Sequence, residues 1–458
     1  MGKSKRRNID MLNGPLPKKI LLFAIPLALT SILQQLLNSA DASIAGRFLG
    51  GSALAGIGGV SPISAMFVNL FVGLSIGANV VVAMRIGNGQ MQRVGAAVHT
   101  AMALAIIVGL ALMACGLLLA EWILDAVAMP ADSYGDGLLY LRLFFGTVPF
   151  MTVYNFASAI LRAHGDSRRP LYALAVAAVL NIGLNFLFAG PLGWGVAGIG
   201  VATIIACAAC AALAVAFIMG EDEPYRFHPR QLRITGPELR EILRIGIPAG
   251  IQGAVFSLSN TVVQAAINSF GSAAIAGSAA TLNFEYYTYF FVNAFAQTAV
   301  TFTSQNYAAR NVERCRAVYR WCQLFGLASS LALGITFTAL GRTALSIFTT
   351  DPVAWSFGMM RMWFIELLDW MTSLYDVPAG AMRGMGWSTL PAVVTIFGSC
   401  VLRIAFVAWV FPHTQTFVSL MALYPVTWLF MIAVMQVAYA LVKRRAYGKI
   451  QKPTPATA

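Results

Sequence analysis

Long apolar stretches alternate along the chain with short polar segments. The first stretch starts at Ile20 and contains no charged residue before Asp41. A run of about 18 or more apolar residues can cross a bilayer as a helix, whereas the strands of a membrane barrel alternate and run about 10 residues. The pattern therefore predicts an all-α polytopic membrane protein and excludes a barrel. The predicted spanning helices number twelve and cover residues 20–45, 53–83, 95–120, 137–161, 170–190, 195–218, 242–269, 273–305, 318–340, 357–382, 389–411 and 415–442.

The distribution of charge sets the expected orientation. Charged residues make up only 11% of the 458 residues, against about 25% in a soluble domain. The net charge of +13 would suit nucleic-acid binding, but most of the 31 Lys and Arg residues fall in the tails and in alternate loops. Positive loops stay cytoplasmic, so we expect both termini inside, no nucleic-acid partner and a secondary attraction to anionic membrane lipids. The opposite loops carry acids instead: Glu121, Asp125, Asp132, Asp136 and Asp351.

The two halves of the chain resemble each other at a spacing of 221 residues. Such a repeat of six helices predicts two bundles with the same orientation, an arrangement typical of secondary transporters. We expect a basic cytoplasmic tail at 1–19, bundles at 20–218 and 242–442, a cytoplasmic linker at 219–241 and a tail at 443–458. The repeated positions include Arg162, Gly165, Ser167 and Pro170, which recur as Arg383, Gly386, Ser388 and Pro391, and Arg93, which recurs as Arg314.

Two local patterns have a second interpretation. Ala40-Asp41-Ala42 resembles a signal-peptide cleavage site, but the apolar run before it exceeds the roughly 7–15 residues of a signal core. Cys207 and Cys210 have the spacing of a redox or metal motif, yet they stand among alanines in an apolar helix. We expect an uncleaved first helix and cysteines that serve packing.

Asp41 is the most informative residue, because an ionised Asp inside a bilayer costs roughly 2.5–3.5 kcal/mol. Asn181 and Asn185 share one face of the fifth helix, and Thr203 lies on the sixth at a similar predicted depth. Their oxygens suit a hard cation or a hydrogen-bonded proton-accepting acid. The alternative is that the three polar residues are ordinary interhelical hydrogen-bonding groups. The other half lacks the cluster and has Val263, Leu402 and Phe406 at the corresponding positions.

A second set of charges lies in the other half of the chain. Glu366, Asp369 and Asp376 form a stripe on the tenth helix, with Glu285 on the eighth and Arg403 on the eleventh. We predict a buried ion pair of Arg403 with Glu366 or Asp369, and surplus acid that attracts cationic substrates or forms another proton site. Aromatic rings such as those of Tyr154 and Tyr287 are candidates for cation–π contacts, although most such rings pack or face lipid.

Several segments resemble the multidrug and toxic compound extrusion (MATE) family, and the likeness covers nearly the whole chain. A-D-A-S-I-A-G-R-F-L-G-G-S-A-L-A-G-I-G resembles the first-helix signature of that family. L-R-A-H-G-D-S-R-R-P and M-R-G-M-G-W-S-T-L-P resemble its paired Arg-Gly elements, and N-I-G-L-N-F-L-F and S-Q-N-Y-A-A-R-N resemble two further elements. The resemblance implies a cation-coupled exporter. It also implies an ion site formed by a first-helix Asp, an Asn and an Asp of helix 5, and a Thr of helix 6.

Asp41, Asn181 and Thr203 match that site, but Asn185 stands where a second Asp is usual. With a single titratable group, tight Na⁺ binding by these four residues becomes less favourable, and H⁺ is the favoured coupling ion. The sequence therefore predicts a plasma-membrane antiporter that exports amphipathic, cationic small molecules or drugs, as a monomer and without a cofactor.

The sequence leaves two alternative functions. A flippase for a lipid-linked sugar should present a cationic cavity for pyrophosphate, whereas the intramembrane charges here are mostly acidic. An intramembrane lipid-modifying enzyme has little support, because no H-E-x-x-H or Walker motif is present. The four histidines, His99, His164, His228 and His413, lie in loops or at the ends of spans. We therefore expect a transporter and not an enzyme.

Overall fold

The computed structural model describes residues 8–127 and 129–451. The described chain contains no β-strand and consists of twelve long helices, which confirms the predicted fold class. The helices are α1 (Leu16–Phe48), α2 (Gly50–Gly87), α3 (Met91–Ala126), α4 (Tyr134–Ala163), α5 (Arg168–Ala189), α6 (Gly195–Met219), α7 (Gly236–Asn268), α8 (Ser272–Ala308), α9 (Val312–Leu345), α10 (352–384), α11 (Thr389–Thr414) and α12 (Phe417–Gln451). Parts of the predicted tails, 1–7 and 452–458, lie outside the described residues.

Ten of these helices are long and apolar enough to cross a membrane. The other two, α8 and α10, carry more polar residues. Helix α10 is also interrupted, since Pro352–Arg361 leads through a π-helical turn at Met362–Glu366 to Trp370–Gly384. Such π turns occur frequently at functional sites, and this one ends on Glu366, a predicted site residue.

Contacts divide the chain into two compact units. Unit 1 comprises Met1–Ile9, of which Asn8 and Ile9 are described, and Leu29–Gly250. Unit 2 comprises Asp10–Ala28 and Ile251–Ala458, described as far as Gln451. The division falls inside α1 and α7, shortly after Pro26 and Pro248, which interrupt the hydrogen bonding of these helices. Pro248 lies one residue beyond the repeat position of Pro26. The bundle limits expected from sequence, 20–218 and 242–442, follow the order of helices along the chain and not their contacts. They remain a prediction.

Within unit 1, α2 and α7 approach each other backbone to backbone. A side chain at Gly73 would meet the backbone of Gly250 at 2.4 Å, and one at Gly77 would meet the carbonyl oxygen of Ile242 at 2.2 Å. Gly73 and Gly77 are one helical turn apart, as are Gly246 and Gly250 on the partner helix. Small residues at this spacing let membrane helices pack closely, so the glycines set the distance between α2 and α7.

The repeat is also visible in how each unit holds a helix start. In unit 1, Arg85 contacts Glu238 at 2.9 Å and Glu241 at 2.5 Å, and Arg93 contacts Glu238 at 2.7 Å. These ion pairs attach the start of α7 to α2 and α3.

In unit 2, the repeat-related residues Asn306 and Arg314 hold the segment before α1 by different chemistry. Both donate to the carbonyl oxygen of Met11, at 3.2 and 2.9 Å, and Arg314 also donates to the carbonyl oxygens of Asn13 and Gly14. The repeat-related positions therefore hold a helix start in both units. The acceptors are side-chain carboxylates in unit 1 and backbone carbonyl oxygens in unit 2.

Candidate functional site

The predicted cluster around Asp41 forms a continuous hydrogen-bonded chain in unit 1. Asn185 Nδ2 donates to Asp41 Oδ1 at 2.5 Å and to Asn181 Oδ1 at 3.1 Å. Asn181 Nδ2 donates to Thr203 Oγ1 at 3.3 Å, and the Thr203 hydroxyl donates to the carbonyl oxygen of Ile199 at 2.9 Å. The structure thus brings together all four residues, from α1, α5 and α6.

The local reason for this chain is helix periodicity. Residues four apart lie on one face of a helix, so Asn181 and Asn185 present their amides along one line of α5. Both are buried, and the Oδ1 atom of Asn185 has no hydrogen-bond partner. A buried acceptor without a partner carries a desolvation cost of about 1–3 kcal/mol. The cluster therefore holds an amide oxygen that is free to accept a proton donor or a cation.

No basic side chain neutralises Asp41 within the described part of the chain. The ion pairs there involve other acids, and the nearby Arg47 is not among their members. The Asp41 carboxylate accepts its hydrogen bond from the amide of Asn185. A permanent Arg or Lys partner would have made the acid a structural group, and this geometry does not provide one.

An apolar cluster packs close to the acid. Ala45, Ile57, Ala189 and Ile199 are buried together, and Tyr140 of α4 packs against them. Tyr140 also interacts electrostatically with Asp41. Sequence reasoning missed Tyr140, because nothing in the spacing of α4 indicates which of its residues face α1.

The second set of acids lies in unit 2, and its pairing differs from the prediction. Arg361 binds Glu285 through both carboxylate oxygens, at 2.6 Å for Nε to Oε1 and 2.8 Å for Nη2 to Oε2. Arg403 has no ion pair in the described chain. It donates to Thr427 Oγ1 at 3.3 Å, and its guanidinium lies 4.4 Å from the ring centre of Tyr424.

The predicted ion pair of Arg403 with Glu366 or Asp369 is therefore wrong. The physical reason is helix register. Two π-helical segments, Ile396–Val401 and Phe406–Val410, flank Arg403. They change the angular position of Arg403 relative to a regular α-helix, and its side chain bonds Thr427 and lies against Tyr424 of α12 instead of pairing with an acid of α10.

Within the described residues, three acids of α10 have no basic partner in hydrogen-bond contact, although Arg383 interacts electrostatically with Asp376. Glu366 accepts from the Thr288 hydroxyl at 2.6 Å, and Asp376 accepts from Tyr289. Glu366, Asp369 and Asp376 each keep one carboxyl oxygen without a hydrogen-bond partner. Glu366 and Asp369 also interact electrostatically with each other. Buried carboxyl groups in such surroundings are costly as anions, so a proton or a cation would offset the cost.

The two aromatic candidates lie on different helices. Tyr154 is buried on α4, and its hydroxyl donates to the carbonyl oxygen of Pro170 at 3.1 Å, where α5 begins. Tyr287 is half-buried on α8. Tyr154 thus serves a contact between two helices, and the structure does not bring it into either acidic cluster.

Helix α2 contains a short motif of glycine and serine. Gly73-Leu74-Ser75-Ile76-Gly77 has the G-x-S-x-G form of a hydrolase nucleophile turn, which joins a strand to a helix. Here the pattern lies within α2, and the buried Ser75 hydroxyl donates to the carbonyl oxygen of Val72 at 2.7 Å. Ser75 therefore lacks the exposed turn that such a nucleophile requires.

The repeated helical fold is reflected in the comparison with known protein families. The MatE family model matches the chain twice, over residues 26–187 and 248–409. The chain belongs to the MATE family, whose members are transporters of drugs and toxic compounds and not enzymes. The double match also follows the repeat seen in the sequence.

Individual relatives are more distant. The chain is 26% identical to "Probable multidrug resistance protein YoeA" of Bacillus subtilis, over 86% of each chain. It is 22% identical to "FAD transporter" of Shewanella oneidensis, over 66% of this chain and 68% of that one. A solved multidrug resistance MATE family transporter in an outward-facing conformation superposes with a TM-score of 0.86 at 21% identity, covering 97% of this chain and 98% of that one.

Proposed function

We propose that this transporter is a proton-coupled antiporter that exports amphipathic organic cations across the plasma membrane, as a monomer with both termini cytoplasmic. The observation that carries the proposal is the contact of Asp41 with a neutral amide and with no basic residue in the described chain. An acid held in this way can gain and lose a proton without breaking an ion pair.

The chemistry of Asn185 favours a proton over Na⁺. An amide donates through its nitrogen to an ionised carboxylate, and after a flip it accepts through its oxygen from a protonated one. Asn185 thus suits both states of Asp41. A second carboxylate at this position could only accept, and it would supply the negative charge that Na⁺ capture needs. Without it, a Na⁺ ion would depend on Asp41, two amide oxygens and one hydroxyl.

Coupling then follows from the elements that the cluster joins. Protonation of Asp41 removes a charge and changes its hydrogen bond to Asn185, so the packing of α1 against α5 and α6 changes. If this arrangement has lower affinity for substrate, proton entry drives substrate release. By linkage, substrate must weaken proton binding by the same factor.

We further propose that the acids of α10 form a second proton-binding set that also attracts cationic substrates. Glu366, Asp369 and Asp376 are the candidates, because each has an unpartnered carboxyl oxygen. Glu285 contributes no surplus charge, since Arg361 neutralises it. Net negative charge beside aromatic rings favours organic cations over anions.

The deciding experiment is transport by the purified chain in liposomes under separately imposed pH and Na⁺ gradients. Wild type is expected to respond to the pH gradient, and Asp41→Asn to lose that response, by on the order of 100-fold if proton exchange is the driving step. Asp222→Asn is the matched control, because Asp222 is an exposed acid of the linker. The substrate panel should contain organic cations and FAD, since one relative is named for FAD.

Retention of pH-driven export by Asp41→Asn would sink the proposal. A response of the wild type to Na⁺ alone would replace H⁺ with Na⁺ as the coupling ion, and transport of FAD without transport of cations would overturn the substrate class. Asp369→Asn in the same assay tests the second set, which predicts weaker cation transport and a retained but smaller pH response.

A further inference from the structure

A polar cavity of about 230 Å³ lies in unit 1 between the start of α3 and the linker that joins α6 to α7. Arg226 and Arg233 of the linker both line it, with Gln92 of α3 and Gln231 of the linker. Neither arginine forms an ion pair in the described part of the chain. Two exposed arginines without an ion pair therefore line one concave space, together with a single acid, Glu223.

One acid also lines this cavity. Glu223 contacts His228 Nε2 at 2.6 Å and forms no ion pair with either arginine in the described chain, so its single charge offsets only part of theirs. The backbone N–H of His228 donates to His99 Nε2 at 3.2 Å, and His99 Nδ1 contacts the carbonyl oxygen of Gly95 at 2.7 Å. These contacts attach the linker to α3 and give the cavity a defined wall. The lining as a whole offers guanidinium and amide donors, with an excess of positive charge.

The chain around Arg233 has the pattern of a segment at a membrane surface. Residues 232–235 form neither helix nor turn, and neighbouring side chains of an extended segment point to opposite sides. Leu232 and Ile234 are 42% and 46% exposed, and Arg233 between them is also exposed and lines the cavity. Apolar side chains on one side and an arginine on the other suit the interface between lipid tails and headgroups.

We propose that this cavity binds a phosphate-bearing anion. The planar guanidinium group matches phosphate oxygens in a bidentate geometry, and the two glutamines add neutral N–H donors. The anion comes either from the headgroup of an acidic phospholipid or from a soluble phosphate compound. The bound anion would connect the linker to the start of α3. The site is distinct from both acidic clusters, because its lining shares no residue with them.

The test uses the full-length chain, purified in neutral detergent, with two probes: phosphatidylglycerol and inorganic pyrophosphate. Phosphatidylcholine serves as the neutral-lipid control. Binding is read from the rise in the thermal unfolding midpoint as each probe is titrated. We expect saturable stabilisation of wild type and binding that is weaker by about tenfold or more in Arg226→Gln/Arg233→Gln, because each lost charge-assisted bond contributes substantially.

Arg230→Gln is the matched control, since Arg230 is an exposed arginine of the same linker that does not line the cavity. It should bind like wild type. Arg226→Lys/Arg233→Lys, which keeps the charge but loses the planar fork, should bind with intermediate affinity and guards against a folding defect of the glutamine variant. Saturation by phosphatidylglycerol alone identifies a lipid site, and saturation by pyrophosphate as well identifies a general phosphate site. The proposal fails if neither probe stabilises wild type. It also fails if Arg226→Gln/Arg233→Gln binds the probes with the same affinity as the Arg230→Gln control.

Discussion

Asn185 is a neutral amide in direct contact with Asp41, and this contact decides the chemistry of the site. The nitrogen of Asn185 donates to the carboxylate, while its oxygen has no partner. Where the family resemblance implies a second acid, this chain has an amide that forms the hydrogen bond without adding a charge. One side chain thus changes the charge of the cluster without disturbing its connectivity.

Asn185→Asp is expected to introduce Na⁺ dependence. Two carboxylates within hydrogen-bond distance repel each other unless a cation lies between them. We expect Na⁺ affinity to rise by at least about tenfold, roughly 1.4 kcal/mol, in equilibrium binding of radioactive Na⁺ and in Na⁺-driven efflux. Asn283→Asp is the control, because Asn283 bonds only a carbonyl oxygen of its own helix. Unchanged Na⁺ binding by Asn185→Asp would show that charge at this position does not select the ion.

Glu221, just beyond α6, predicts acid sensitivity. Burial alone raises its pKa, but hydrogen bonding to His164 and the charges of His164 and Arg169 outweigh burial and place the pKa below the usual 4.5. The His164 Nδ1 atom lies 3.0 Å from Glu221. A lowered folded-state pKa stabilises the fold above the unfolded-state pKa, and this contribution is lost as pH falls through the folded value.

We therefore expect the thermal unfolding midpoint of wild type to fall as pH drops below about 4.5. Glu221→Gln should have a lower midpoint at neutral pH and a flatter profile in the acid range. Asp222→Asn, at the exposed neighbouring acid, should follow wild type. Identical acid profiles for Glu221→Gln and wild type would exclude Glu221 as the responsible group.

At the scale of elements, the distance between α2 and α7 depends on glycines, whereas the shape of α10 and α11 depends on π turns. Both are local departures from a regular apolar helix. The glycines remove side-chain volume where two backbones meet, and the π turns rotate the residues that follow. Arg403 follows such a turn in α11 and lies against Tyr424, whereas Arg361, which precedes the π turn of α10, binds Glu285.

Gly77→Val should lower the unfolding midpoint, because the new side chain would collide with the carbonyl oxygen of Ile242 at 2.2 Å. Overpacking typically costs about 1–3 kcal/mol. Gly183→Val is the matched control, since a side chain at Gly183 meets nothing within 4 Å and both changes place valine within a helix. Thermal unfolding in the same detergent compares the two. Equal shifts would mean that the α2–α7 contact yields without cost.

At the scale of the whole molecule, an even number of spans requires both termini on one side of the membrane. The basic loops favour the cytoplasmic side. A fluorescent protein that folds only in the cytoplasm should therefore fluoresce at either terminus, and alkaline phosphatase, which needs an oxidising compartment, should be inactive there. The reverse pattern at either terminus would contradict the proposed orientation.

The sequence by itself determined the class of protein, the number of helices and the repeat, because these follow from apolar run length, charge placement and spacing. It also indicated the Asp41 cluster, since residues four apart share a helix face and an isolated acid stands out in an apolar run. The tertiary structure decided which distant groups meet. It paired Arg361 with Glu285, gave Arg403 neither Glu366 nor Asp369 as an ion-pair partner in the described chain, added Tyr140 to the surroundings of Asp41, and gave Tyr154 a contact with Pro170. These pairings depend on the rotation of each helix about its axis, which π turns and close glycine contacts set and which hydrophobic periodicity does not encode.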